Sequence, residues 1–417
     1  MPEGLSSIEQ QTDHLFRQAS GRVVAVLTRQ FGVDKIEDIL DAVQDAFEAA
    51  LIRWRFSGVP NVPEAWLLTV ARRKLINQQR GMKRITSLDG GVMLKEEGGL
   101  PKETEVYIRD SQLALLLLCV NLPLSTRDRI ITTLHVLCGF SPFELAKAMD
   151  VHYEAVRKSL YRNKQKLAAE KSWQNFKWEH NQMANHLPTI HEILYALFNE
   201  GYKSAKPENG IDMTMCYEAV RLLSTVMEIS SSSESHGLLS LFYFHLSRFP
   251  ARLDAEGIRI SIEHQDRSLW DKALIKAGCY HLELAKPEDV LNTRYLEAII
   301  ASLHTMAPSF DKTPWHQIED LYTKWHALDN KNGMLKLQAL TAALYHRPDL
   351  AMVAEIENLK TEISAAHHYL VDATLAELYS RLGDTKSSHL FLLRAMEGCE
   401  DVHDKKFLQN KIMGKKK

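Results

Sequence analysis

Arg157, Lys158, Arg162, Lys164 and Lys166 gather cationic groups on a short stretch, with Ser159 and Tyr161 between them. Ammonium and guanidinium groups neutralise phosphate oxygens, and a guanidinium fork or a hydroxyl also reads the edges of bases. That is chemistry of binding, and it needs a helix laid along a groove. The surrounding segment, SPFELAKAMDVHYEAVRKSLYRNKQK from Ser141 to Lys166, supplies such a helix and a partner for it. Leu145, Ala146 and Met149 give a first short helix an inward face, Val151 plugs a turn, and Val156 and Leu160, four apart, seat a second, basic helix. The pattern is that of a DNA-reading helix-turn-helix. Asp150 stands where the turn usually has glycine; aspartate tolerates a left-handed backbone better than most residues, so the turn stays feasible. The same residues also fit a basic, solvated hairpin of a larger helical protein.

The 417-residue chain has room for two to four domains, and 45% hydrophobic residues suffice for packed cores. Its formal net charge of -2 hides an uneven distribution, because basic residues concentrate before about residue 175. Five cysteines lie far apart, with no CxxC pair, which implies a reducing cytoplasmic setting without structural zinc. The first residues lack a basic region followed by an apolar core, and LALLLLCV at 113–120 is too short to span a bilayer, so no membrane role is expected. It reads as a buried helix.

Helical periodicity runs through almost the whole chain, and the expected class is all-α. A first block holds a helix with Leu15, Val23, Val26, Leu27 and Phe31 inward, and a second from Ile39 to Trp54 with Val43, Phe47, Ala50, Leu51 and Trp54 inward. RFSGVPNVPEAW breaks the period, and Pro63 then opens a third helix over Glu64 to Arg80. Four glycines and a proline among charges mark residues 85–106 as a linker. Ser125 caps a helix, TRDRIITTLHVLCG, that ends near Gly139. Beyond Trp173 a long helical region follows. Near its end Leu375, Ala376, Tyr379, Gly383, Leu392 and Ala395 are spaced as in a tetratricopeptide hairpin, although no strict 34-residue period recurs upstream. The basic end, KKFLQNKIMGKKK, reads as a frayed tail.

In the first block, Asp41, Gln44, Asp45 and Glu48 form an acidic and amide stripe opposite the apolar face of the second helix, a pattern that simple solvation also explains. The third helix carries Arg72, Arg73, Lys74, Gln78, Gln79 and Arg80 with no acid between Glu64 and Asp89, a field suited to a nucleic-acid backbone. Two basic helical units on one flexible linker can grip two DNA sites at once.

DAVQDAFEAAL, then GVPxxPEAWLLTVARRKLIN, a Gly-rich linker and FELAKAMDVHYEAVRKSLYRNK together resemble a bacterial sigma factor of the extracytoplasmic-function group in the sigma-70 family. FNEGY at 198–202, QDRSLWD at 265–271 and RYLEAIIASLH at 294–304 resemble the helical, tetratricopeptide-like extension of one subgroup of these factors. The resemblance implies two small helical sigma domains, at 1–84 and 107–170, joined by the linker and followed by a larger helical extension over 171–417, tetratricopeptide-like near 341–398.

It further implies a dissociable subunit of RNA polymerase that directs promoter-specific initiation. Asp41, Gln44, Asp45 and Glu48 then become contacts to the clamp helices of the largest polymerase subunit, and the flap region becomes a second docking point. Ser57 and Asn61 become candidates for capturing a minus-ten base, with Arg72, Arg73, Asn77 and Arg80 holding the strand. Trp66 is a core residue on the simpler view and a stacking residue on the other. His152, Tyr153, Glu154, Arg157, Lys158 and Arg162 become readers of the minus-thirty-five element. The extension is expected to regulate in cis or through polymerase; FNEGY and QDRSLWD line a groove on that view, or else form a buried structural network.

A transcription regulator that binds DNA by itself and uses the helical half as a sensor is the alternative. Catalysis is not expected. The 18 histidines are scattered, HEILY at 191–195 lacks the second histidine of HExxH, and His367 and His368 have no carboxylate framework. No P-loop or nucleophile elbow is present, and neither a cofactor nor a metal is implied.

Overall fold

A computed structural model describes residues 19–82, 102–149, 151–170, 180–203, 211–254, 257–287 and 292–413. The fold is all-α: among the described residues there is one isolated bridge, Leu253 with Arg259, and no strand. The helices divide into two compact units, α1 to α9 and α10 to α18.

The first unit begins with α1 (19–31), which ends at Gly32, whose φ of 95° suits glycine. A short 3-10 turn, Val33–Lys35, leads into α2 (Ile36–Ser57), which carries Glu37 and Asp38 in its first turn, the end where a helix dipole favours acids. Ile39, Val43, Phe47, Ala50 and Trp54 are buried along one face of α2, as their period requires. Gly58, φ 73°, stops it, and Pro63 opens α3 (Pro63–Met82).

Of the expected linker, 85–101 lies outside the described residues, and 102–106 forms the start of α4 (Lys102–Asn121). Leu113 to Val120 are all buried in α4, so LALLLLCV is a core helix. In α5 (Thr126–Cys138) the Ser125 hydroxyl accepts from the Asp128 amide, and Gly139 adopts the left-handed C-cap, both as the sequence predicts. Next, α6 (Pro142–Ala148) opens with a capping box between Ser141 and Glu144, and α7 (Tyr153–Ala168) follows. The turn residue Asp150 lies outside the described residues.

The hairpin of α8 (His180–Tyr202) and α9 (Met213–Ile229) completes the first unit. It meets at Gly201, where a Cβ would lie 2.7 Å from the Asp212 carbonyl and 2.8 Å from Cys216 Sγ. Helix α8 packs on α4 and α5, and Arg221 Nη2 on α9 donates to Gln112 Oε1 on α4 at 2.8 Å.

The second unit holds α10 (Ser233–Ser247), α11 (Lys272–Leu284), α12 (Thr293–Met306), α13 (Trp315–Leu328), α14 (Gly333–Leu344), α15 (Met352–Asn358), α16 (His368–Arg381), α17 (Thr385–Gly398) and α18 (Val402–Ile412). Its pairs are α10 with α11, α13 with α14 and α16 with α17. Leu375, Ala376, Leu392 and Ala395 are buried between α16 and α17, the Tyr379 and Phe391 rings stack at 5.5 Å, and Gly383 takes a φ of 82° in the turn. The expected frayed tail is corrected: residues up to Ile412 form α18, because Leu408 is buried against the α16 and α17 core and Lys411 Nζ pairs with Glu377 at 2.7 Å.

Candidate nucleic-acid interface

Helix α7 seats itself through Val156, Leu160 and Leu167, and with them two polar residues face inward, Ser159 and Asn163. The Ser159 hydroxyl donates to Asp128 Oδ1 on α5, and Asn163 Nδ2 donates to Thr132 Oγ1 and Ser159 Oγ, each at 3.1 Å. Burial alone would raise the Asp128 carboxyl, but hydrogen bonds from Ser159, Ser125 and Asn163 and the Arg162 charge outweigh it and hold the group below the usual range. Ser159 is therefore a structural residue rather than a reader of bases, contrary to its place in the sequence reading.

The outward face of α7 and its cap collects the other candidates. His152, Tyr153, Glu154, Arg157, Lys158 and Arg162 are all exposed, and from Tyr153 onward their helical spacing gives one continuous face. Arg157 is pre-positioned: Nη1 donates to Glu154 Oε1 at 3.2 Å, and the guanidinium lies 5.7 Å from the Tyr153 ring centroid. Lys164 turns elsewhere, pairing with Glu37 Oε1 on α2 at 3.1 Å.

On α2 the stripe is present in part. Asp41, Gln44 and Glu48 are exposed, and Gln44 Nε2 donates to Glu48 Oε1 at 3.2 Å. Asp45 is half-buried and ion-paired with Lys74 of α3, so it ties two helices together and withdraws one cation from the basic field of α3. Arg22 Nη1 on α1, 3.2 Å from Glu64 Oε1, fixes the start of α3.

Ser57 ends α2 and is exposed, its hydroxyl donating to the Arg53 or Gly58 carbonyl at 3.1 and 3.3 Å. Asn61 is exposed in the following loop. Arg73 and Asn77, four apart, share the exposed face of α3, Arg72 is half-buried beside them, and the side chain of Arg80 lies outside the described residues. Trp66 packs against the buried Trp54 with ring centroids 5.3 Å apart, the core role rather than the stacking one. The sequence reading passed over Phe56, which is 89% exposed beside Ser57 and offers an aromatic face for a base. Its helical phase was the available signal, since two residues past Trp54 lies off the buried stripe.

The extension motifs pack through part of their residues. In FNEGY, Phe198 and Gly201 are buried at the α8 to α9 contact, and the Phe198 and Tyr202 rings stack at 6.0 Å. In QDRSLWD, Gln265 Oε1 accepts from Arg248 Nε at 3.2 Å, and Arg267 Nη1 donates to the carbonyls of His304 and Ala307 at 2.9 and 2.8 Å. The Arg267 guanidinium sits 4.4 Å from the centroid of the buried Trp270 ring, and Asp271 caps α11. The network is structural but only partly buried: Gln265 and Trp270 are buried and Arg267 half-buried, whereas Asp266 and Asp271 are exposed helix caps. Among the described residues no cluster of metal-binding side chains occurs, and no helix is long and apolar enough to cross a membrane.

Comparison with known proteins adds independent marks. Residues 186–286 match a family of unknown function, DUF6596. A protein of Rhizobium meliloti (strain 1021), named only as uncharacterized protein R00370, is 29% identical over 343 residues, covering 79% of this chain and 80% of that one. No solved structure matches. Residues 15–85, which carry α1 to α3, match sigma-70 region 2, the part that binds core RNA polymerase and recognises the minus-ten element. That match supports a sigma-70 family member with polymerase and promoter DNA as partners.

Proposed function

We propose that the chain is a sigma factor of the extracytoplasmic-function group that binds core RNA polymerase and directs initiation at specific promoters. The observation that carries this reading is the region 2 match over 15–85, on helices that present an acidic and amide stripe on α2 and a basic face on α3. Domain two occupies 1–84, and Asp41, Gln44 and Glu48, with Asp45 at their edge, dock on the polymerase clamp helices. Ser57, Asn61, Arg72, Arg73, Asn77 and Arg80 engage the minus-ten element, with Phe56 placed to stack on an unpaired base.

Domain four occupies 107–170, with α6 and α7 as its helix-turn-helix. His152, Tyr153, Glu154, Arg157, Lys158 and Arg162 read the minus-thirty-five element. The helical, tetratricopeptide-like extension regulates this activity in cis or through polymerase. An Arg157→Ala variant assayed across promoter variants tests the assignment. A bidentate guanine contact predicts a loss of about 1–3 kcal/mol confined to one promoter position, whereas a phosphate contact weakens all promoters alike. Unchanged binding removes Arg157 from the interface.

A further inference from the structure

Two cations border one indole in the second unit. Arg248 stands at the C-cap of α10, and Arg267 opens a 3-10 turn, Arg267–Leu269. Their guanidinium carbons lie 5.7 and 4.4 Å from the centroid of the Trp270 ring, which is 4% exposed. His304, in the last turn of α12, joins them: its carbonyl accepts from Arg267 Nη1, and its half-buried ring feels the charges of both arginines.

Cations withdrawn from water usually face carboxylates. Here Arg248 Nε donates to the neutral amide of Gln265, and Arg267 Nη1 caps the carbonyls at the end of α12. The adjacent carboxylates are engaged elsewhere: Asp266 accepts from the Ser268 amide and hydroxyl at 2.9 and 2.7 Å, and Asp271 from the Ala273 and Leu274 amides at 2.8 and 3.0 Å. Burial, reinforced by positive neighbours alone, pushes both Arg267 and His304 down. Three nitrogens of the cluster are shut off from solvent without a hydrogen-bond partner among the described residues: Arg267 Nη2, Trp270 Nε1 and His304 Nδ1. Donors left in that state are costly, and an anion satisfies them and the excess positive charge together.

We propose that this cluster is a binding site for a phosphate group, free or carried on a small ester, with Arg248, Arg267, Trp270 and His304 supplying its donors. A phosphate group carries a charge of roughly −1.5 to −2 near pH 7, which two guanidinium groups match, and its oxygens suit the guanidinium fork. The indole N–H adds a neutral donor. His304 donates through Nδ1 once an anion offsets the repulsion from Arg248 and Arg267. Bound there, the phosphate ties the end of α10 to the end of α12. The site lies within the second unit and does not depend on the promoter reading.

The test uses the full chain labelled with nitrogen-15 at its seven tryptophans. The indole signal missing from a Trp270→Phe variant identifies Trp270. Sodium phosphate and adenosine monophosphate are titrated separately at constant ionic strength, with sodium chloride as control. A saturable movement of the Trp270 signal with either phosphate probe and not with chloride, weakened at least about tenfold in Arg248→Gln, supports the site. A response to inorganic phosphate alone assigns the free ion, and a response to the nucleotide assigns an ester. A signal that stays in place under both probes overturns the proposal, as does an affinity unchanged in Arg248→Gln, which marks binding elsewhere on the chain. If Trp270→Phe fails to fold, melting temperatures decide: a phosphate-dependent rise in wild type that Arg248→Gln lacks supports the site, and no rise, or an equal rise in both, overturns it.

Discussion

The Ser159 hydroxyl donates to the Asp128 carboxylate, joining the middle of α7 to the first turn of α5. The basic helix is thereby oriented by a polar contact on its inner side, with Asn163 completing the network. Ser159→Ala should cost about 1–3 kcal/mol by leaving a half-buried carboxylate short of one donor. Asp128 is held below its ordinary range in the folded chain, so its contribution is present above the unfolded value near ~4 and is lost as pH falls through the folded one. Urea unfolding of the two proteins should show the full difference at pH 7 and a narrowing gap towards about pH 3. Equal midpoints at pH 7 would refute the role given to Ser159.

Acid should weaken the second unit through histidines that stay neutral when folded. Burial, followed by the charges of Arg248 and Arg267, pushes His304 down to about 4, and burial with His236 pushes His281 down to about 4. The unfolded chain takes up these protons near ~6.5, so stability is complete above that pH and declines between about 6.5 and 4. Thermal melts followed by tryptophan fluorescence should show a lower midpoint at pH 5 than at pH 7.5. His304→Phe should show a smaller acid drop; a drop as large as wild type would rule out His304 as a contributor.

Truncation should separate two boundaries. Helices α8 and α9 cover α4 and α5, with Arg109 Nη1 2.9 Å from Glu228 Oε2 and Arg221 bonded to Gln112. A chain ending at Ser231 keeps that cover, whereas one ending at Lys171 exposes it. The longer piece should melt cooperatively and remain monomeric by sedimentation, and the shorter should melt at a lower temperature or aggregate. Equal melting of the two would mean that the hairpin does not support α4 and α5.

What the sequence revealed was whatever is local. Ser125, Gly139 and Pro63 announce helix ends in consecutive residues, and each end forms where expected. Apolar spacing likewise places Leu145, Val156 and Leu160 inward. Hidden were contacts between distant residues. Asp45 belongs to the surface stripe by phase, yet Lys74 on the next helix claims it. The tail is polar in composition, and the packing of Phe407, Leu408 and Ile412 on a distant core, with the Lys411 to Glu377 pair, makes it a docked helix. QDRSLWD has the composition of a binding motif, and its role becomes visible only when Arg248, His304 and Ala307 surround it.

On the proposed function, this chain confers promoter-specific initiation on core RNA polymerase. Run-off transcription from a pool of promoter fragments, with core alone and with core plus the full chain, tests it most directly. The expected transcripts require both components and start at a fixed distance from two sequence elements shared by the active fragments. No transcript beyond that of core alone, from a chain that still binds duplex DNA by itself, would contradict it.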